Sequence, residues 1–252
     1  GAGAMTEPGS GRRAARAALR GFFAARGWRA LPFQREAWDR YLAGESGLLV
    51  TPTGSGKTLA AFGGALLEAL ATGDLAAPRR RGAAKTPRTR VLWITPLRAL
   101  ASDTVRALRE PIDALGLGWT VALRSGDAGA RDRRLAREGQ AEVLVTTPES
   151  LALLLSYPDT AVQFAGLRAV FVDEWHELLG NKRGVLLQLG LARLRAFAPA
   201  HRLWGLSATL GNLEQARDVL LPHVPDAPVL QASRPRALEL ETLVPDAGER
   251  FP

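Results

Sequence analysis

Thr51-Pro52-Thr53-Gly54-Ser55-Gly56-Lys57-Thr58 sets glycines and hydroxyl side chains around one lysine, between the apolar run 47–50 and the helix-forming stretch that opens with Thr58-Leu59-Ala60-Ala61-Phe62. A strand-to-helix turn of this kind aims backbone N–H groups and the positive end of a helix at one spot, which suits a phosphate. Gly54 and Gly56 permit conformations that a Cβ would forbid, Lys57 can reach β- and γ-phosphates, and the Thr58 hydroxyl can ligate Mg²⁺; Thr53 and Ser55 complete the cradle. Thr51 stands where the usual pattern has its first glycine. Downstream, the apolar run 167–172 ends in Asp173-Glu174-Trp175-His176. At the carboxyl end of a parallel strand, Asp173 can hold Mg²⁺ and Glu174 can orient and deprotonate an attacking water. A third run, Ser207-Ala208-Thr209, follows the apolar stretch 203–206, and its hydroxyls could bond back toward the Asp173–Glu174 loop. These three runs fit the hydrolysis of a nucleoside triphosphate, with Ser207 and Thr209 transmitting the nucleotide state.

Bringing those groups together requires strands that end at one edge of a sheet. Short apolar runs at 48–50, 91–95, 119–123, 143–146, 169–172 and 203–206 predict the strands, and the stretches after Lys57, over 97–115, near Leu151 and over 185–197 predict helices between them. Two further helices, at about 12–26 and 33–42, precede the first strand. Such alternation predicts an α/β fold, a doubly wound and mostly parallel sheet with helices on both faces. The first domain is expected over 11–222, after a disordered start over 1–10. Residues 73–90, with Pro78, Pro87 and six basic residues, are expected to form a mobile surface loop. The proline-rich tail 223–252 reads as a linker carrying an edge strand at Glu239–Val244.

The 252 residues carry 33 Lys and Arg against 25 Asp and Glu, a net charge of +8, and Lys57, Lys85 and Lys182 are the only lysines. Arginine presents a planar fork that suits phosphate oxygens, so this basic surface favours polyanions. The absence of cysteine excludes disulfides, thiolate nucleophiles and cysteine-ligated metal centres. No apolar run approaches the roughly 20 residues that span a bilayer, and no leader pattern is seen, so a cytoplasmic protein without membrane contact is expected. Gly1-Ala2-Gly3-Ala4 before Met5 reads as an expression scar.

The order of the motifs resembles superfamily 2 helicases of the DEXH type: Phe33-Gln34, Thr51–Thr58, Thr95-Pro96-Leu97-Arg98-Ala99-Leu100, Thr146-Thr147-Pro148-Glu149-Ser150, Asp173–His176 and Ser207–Thr209. Arg124-Ser125-Gly126-Asp127 and the runs 172–180 and 204–212 narrow the resemblance to the large helicase-related (Lhr) group and, within it, to bacterial ligase-associated DEXH-box DNA helicases. The resemblance covers about Trp28 to Leu221 and implies a RecA-like P-loop NTPase domain that uses ATP and Mg²⁺. It implies that Gln34 reads adenine along the base edge. Trp28 either packs near the base or belongs to the core. Pro96-Leu97-Arg98, Arg124-Ser125-Gly126 and Thr147-Pro148-Glu149 are the implied contacts to the nucleic acid backbone. His176 is the implied link between the γ-phosphate site and the next domain.

Taken whole, the resemblance implies an ATP-dependent DNA helicase that moves 3′ to 5′ on single-stranded DNA. A role in DNA repair, a place near the bacterial nucleoid and an association with a DNA ligase and nuclease come with it. Nothing after Leu221 resembles a second RecA-like domain, so the chain alone is expected to be a poor ATPase. The residues leave two alternatives open. An RNA helicase or RNA-processing ATPase would share most motifs, because backbone contacts dominate in both. A nucleotide-gated binding module without activity fits the single domain, although Glu174 favours the enzyme.

Overall fold

The computed structural model describes residues 8–52, 56–76, 78, 81–82, 84–208 and 211–232. Thr53, Gly54, Ser55 and Thr209, together with the expected strand at Glu239–Val244, lie outside the described residues. Helices α1 (Pro8–Ala25) and α2 (Pro32–Leu42) lead into β1 (Gly47–Val50) and α3 (Lys57–Thr72). Then follow β2 (Val91–Ile94), α4 (Ala101–Ala114), β3 (Val121–Arg124), α5 (Ala130–Arg137), β4 (Val143–Thr146), α6 (Pro148–Leu155) and α7 (Thr160–Gln163). The last elements are β5 (Ala169–Val172), α8 (Lys182–Phe197), β6 (Arg202–Ser207), α9 (Leu213–Leu220) and β7 (Val229–Gln231).

The strands form one seven-stranded sheet in the order β3-β4-β2-β5-β6-β1-β7, and every pairing is parallel. Every residue of β1, β2, β4 and β5 is buried, as expected for strands covered on both faces. Successive side chains go to opposite layers: Leu49, Trp93 and Phe171 join Phe62 and Trp204 on one face, while Leu48, Leu92 and Val170 join Trp175 and Leu191 on the other. On the first face α2 lies directly against α3. A Cβ at Gly63 would stand 2.1 Å from the Trp38 indole nitrogen and one at Gly64 would stand 2.6 Å from Tyr41, so the glycines admit the approach. The Trp38 N–H donates to the Leu59 carbonyl at 2.8 Å, fixing the helix that bears Gln34 to the helix that opens with Lys57.

Several sequence expectations shift. A 3-10 turn at Arg98–Leu100 precedes α4, because Leu97 is extended and its N–H turns to the Thr95 hydroxyl at 3.3 Å. Helix α5 was not anticipated, since only Leu135 and Ala136 of its eight residues are buried. The expected domain end at 222 falls short of β7, which pairs with β1 through Leu49 and Leu230; Leu48 and Ala232 donate to the Pro228 and Val50 carbonyls at 3.0 and 2.9 Å.

The described part of 73–90 is tied down rather than loose. Arg90 reaches Asp74 at 3.2 Å, Ala76 donates to Leu117 at 3.0 Å, and Arg88 donates to Gly139 at 2.7 Å. Residues 77, 79, 80 and 83 lie outside the described residues. No described helix is long and apolar enough to cross a membrane.

Candidate functional site

In an all-parallel sheet every strand delivers its following loop to the same edge. The strand order splits that edge in two. The loops after β1, β5 and β6 carry Gly56–Thr58, Asp173–His176 and Ser207–Ala208. The loops after β3, β4 and β2 carry Arg124–Gly126, Thr147–Glu149 and Pro96–Arg98. The halves meet between β2 and β5, where the Asp173 N–H donates to the Ile94 carbonyl at 2.7 Å.

On the first half, Gly56 caps the N-terminus of α3 with φ 82°, a left-handed conformation that favours glycine. A Cβ there would come within 2.8 Å of Gln34 Nε2. Thr51 is not among the residues with positive φ; it sits in the strand ladder, its N–H on the Ser207 carbonyl at 3.1 Å, so the missing first glycine needs no replacement. Lys57 Nζ lies 2.8 Å from Asp173 Oδ1 and 2.7 Å from Glu174 Oε1. Burial works against the lysine's charge, but the two carboxylates outweigh it and raise its pKa. Burial pushes the Asp173 carboxyl above the usual carboxylate range, with the Lys57 ammonium pulling the other way.

Glu174 adopts a left-handed backbone, φ 51° and ψ 42°, uncommon for a residue with a side chain. Its carboxylate meets Lys57 on one oxygen and His176 Nε2 at 3.2 Å on the other. His176 Nδ1 accepts the Ala208 N–H at 3.1 Å, which places the ring proton on Nε2, toward Glu174. The link from the carboxylate loop to the strand β6 loop is therefore a backbone amide. Ser207, expected to make that link with its hydroxyl, instead donates to the Ala208 carbonyl at 2.9 Å.

Gln34 is buried, 3% exposed, and its amide bridges backbone: Oε1 accepts from Leu31 N–H at 2.9 Å and Nε2 donates to the Gly56 carbonyl at 3.1 Å. One N–H and one lone pair are left over for a base edge. Beside it opens a cleft of about 440 Å³ lined by Trp28, Leu31, Gln34, Gly56 and Thr58. Trp28 is 46% exposed on the rim of this cleft and meets Phe22 and Phe23 edge-on, so it is not a core residue.

The second half is a groove of about 810 Å³ that brings together Pro96, Leu97, Arg98, Arg124, Gly126, Thr147 and Glu149, the three motifs expected to track a strand. Ser125 lies buried beneath it. Arg98 pairs with Asp127 at 2.9 Å, and Arg124 Nη1 donates to the Ser125 carbonyl at 2.9 Å. Thr147 caps α6, accepting the Ser150 N–H at 3.3 Å. Glu149 does not face the groove alone, because Arg183 holds its carboxylate and depresses its pKa. Arg133, bonded to the Gly126 and Ala128 carbonyls, and Arg183 line the groove too. Sequence reading missed both; an arginine-dense stretch over 131–137 was the available signal for the first.

Comparison with known proteins gives relatives over most of the chain. The Lhr helicase/uracil glycosylase of Escherichia coli is 34% identical over 229 residues, which are 85% of this chain and 14% of that protein. The ATP-dependent helicase Lhr-Core of Methanocaldococcus jannaschii is 34% identical over 224 residues, 85% of this chain and 26% of that protein. The chain thus spans about a quarter or less of the curated relatives it matches. Among solved structures, Mycobacterium smegmatis helicase Lhr bound to ssDNA and AMP-PNP superposes with a TM-score of 0.71 at 34% identity, over 91% of this chain and 28% of the other. Residues 31–216, from the helix of Gln34 to the one after β6, match the DEAD/DEAH box helicase family, and the chain belongs to that family.

Proposed function

We propose that this chain is the ATP-binding motor domain of an Lhr-type DNA helicase, binding ATP on one half of its sheet edge and the backbone of a single strand on the other. The carrying observation is the placement of Lys57, Asp173, Glu174 and His176 at the seam of the two halves. Thr58 and Asp173 offer hard oxygen donors that would suit the Mg²⁺ of a bound nucleotide. Bound Mg²⁺ neutralises developing charge on the transferred phosphoryl group. Lys57, at the first residue of α3, exchanges carboxylate for phosphate oxygens. Glu174 accepts the proton of the attacking water, and His176 Nε2–H steadies the carboxylate for that task. Gln34 reads adenine with its spare amide capacity while holding Gly56 in place. Thr53, Gly54 and Ser55 as nucleotide contacts and Thr209 as a coupling residue belong to the same reading and rest on the motif resemblance.

On the groove, Pro96–Arg98, Arg124–Gly126 and the Thr147-Pro148 step take backbone phosphates, with Glu149 beside them paired to Arg183. Single-stranded DNA is favoured over RNA because the Mycobacterium smegmatis relative is bound to it. A second RecA-like domain as partner, movement from 3′ to 5′, a DNA repair role, a cytoplasmic, nucleoid-associated location and an association with a DNA ligase and nuclease belong to the same reading and rest on the motif resemblance. Titration of the chain with a fluorescent ATP analogue and Mg²⁺, with and without single-stranded DNA or RNA of one sequence, tests it. Saturable nucleotide binding and salt-sensitive DNA binding are expected; absence of either removes the reading.

A further inference from the structure

Arg183 is the second residue of α8, and none of the family motifs accounts for it. Its Nε and Nη2 engage both oxygens of Glu149, Nη2 at 3.1 Å, and Nη2 also donates to the Pro96 carbonyl at 3.0 Å. Glu149 lies in the first turn of α6, after β4, and Pro96 on the loop that follows β2, so one guanidinium fastens two walls of the groove. A guanidinium has N–H donors on three nitrogens, and Nη1 takes no partner among the described residues. The side chain is 40% exposed and lines the groove, within reach of whatever lies there.

At its other end Arg183 is joined to the nucleotide half. The Asn181 amide donates to the Glu177 carbonyl at 2.8 Å and its oxygen accepts the Gly184 N–H at 3.1 Å, which binds the start of α8 to the turn that carries His176. His176 in turn touches Glu174 and Ala208.

We propose that Arg183 is a positioning residue of the groove: it sets the spacing of the β2 and β4 loops through Pro96 and Glu149, and offers Nη1 to a phosphate of the bound strand. The inference rests on the groove being the strand path. Glu149 then serves as the counter-charge that orients Arg183 and does not itself meet the strand. Because Arg183 rides on the segment that starts at Asp173, the grip on the strand depends on the nucleotide site. An incidental surface ion pair would behave in the opposite way. In that case Glu149 is simply a repulsive charge in an anion groove, and neutralising it would tighten DNA binding.

The test uses the whole chain, a labelled oligothymidylate, a salt series, and AMP-PNP with Mg²⁺ present or absent. Glu149→Gln is expected to weaken strand binding several-fold although it removes a negative charge, and Arg183→Lys, which keeps the charge but cannot form the fork, is expected to do the same. Arg183→Gln should lower the slope of log affinity against log salt by about 0.7. All three should bind AMP-PNP as the wild type does, which also reports that they fold, while the change in strand affinity that AMP-PNP produces in the wild type shrinks in each. Equal or tighter binding by Glu149→Gln, or an unchanged slope in Arg183→Gln, overturns the inference while the groove stands. A wild type that binds no single strand at all removes the groove reading and this inference together.

Discussion

Replacing Lys57 by alanine should damage the fold as well as the nucleotide site. Its ammonium lies 2.8 Å from Asp173 and 2.7 Å from Glu174, with Asp173 only 7% exposed. Removing one partner of a buried ion pair costs about 3–5 kcal/mol. Two features bring the figure to the low end: Asp173 Oδ1 still accepts the Glu174 N–H at 2.9 Å, and Glu174 keeps His176 Nε2 at 3.2 Å. A lysine at the first residue of a helix also opposes the macrodipole by about 0.3–1 kcal/mol, which alanine relieves. The net loss is then about 2 kcal/mol. With a urea slope of about 3 kcal/mol/M, at the upper end for small proteins, the unfolding midpoint falls by about 0.7 M at unchanged slope. Adding Asp173→Asn removes the stranded charge and should restore at least half of that loss. The nucleotide arm is read in the same experiment: ATP analogue with Mg²⁺ at a hundred times its Kd stabilises the wild type by about 2.7 kcal/mol, and the variant by almost nothing. A Lys57→Ala protein as stable as the wild type, or a double variant weaker than the single one, would refute the argument from the ion triad.

Glu174→Gln in the full-length protein should bind ATP and DNA yet hydrolyse at least about 10²-fold more slowly, as expected for loss of a general base; a single-turnover assay in which the rate holds would reassign the base. Gln34→Ala removes bonds to Leu31 and Gly56 worth about 1 kcal/mol each, so thermal unfolding should come earlier and the preference for ATP over GTP should narrow; an unchanged preference would place base reading elsewhere. Arg98→Ala should lower the salt slope of single-strand binding by about 0.7 without altering sequence preference, and Asp127→Asn, which frees Arg98, should move affinity upward. The Glu149 pKa is depressed by Arg183, so the stability it contributes is present above the ordinary glutamate value of about 4.3 and is lost as pH falls through the depressed folded value. Acid titration of stability should therefore show wild type and Glu149→Gln converging at low pH; a constant gap would argue against the clamp.

What could be read from the sequence was what local chemistry dictates. A strand that is buried on both faces needs an uninterrupted apolar run, so β1, β2, β4 and β5 stood out, and the carboxylates that follow Val172 were legible because they break such a run. The roles set by tertiary approach were not. Strand β7 has three residues between Pro228 and the tail, and only its pairing with β1 makes it a strand. Arg183 was one arginine among many until α8 carried it to Glu149 and Pro96. Ser207 and Ala208 exchanged roles for a reason no side-chain pattern reveals: the group that meets His176 is a backbone N–H, and any residue at 208 except proline would supply it.

The seam between the two halves also explains why Trp175 stands inside the motif. Glu174 in the left-handed region costs about 1–2 kcal/mol relative to an ordinary backbone, and the cost is sustained only if the neighbours hold the turn. Before it, Asp173 is fixed by its N–H on Ile94 and its carboxylate on Lys57. After it, Trp175 is fully buried against the α8–α9 face of the sheet and its indole N–H donates to the Ala216 carbonyl at 2.8 Å. Burial of a side chain of that size contributes more than the strain removes. Relaxation of residue 174 to an extended conformation would swing its carboxylate away from Lys57 and His176, and it would have to pull the indole from the core to do so. The tryptophan therefore works as an anchor that keeps the Glu174 carboxylate aimed at Lys57 and His176, and it lies on the same short segment that carries His176 toward β6 and Arg183 toward the groove.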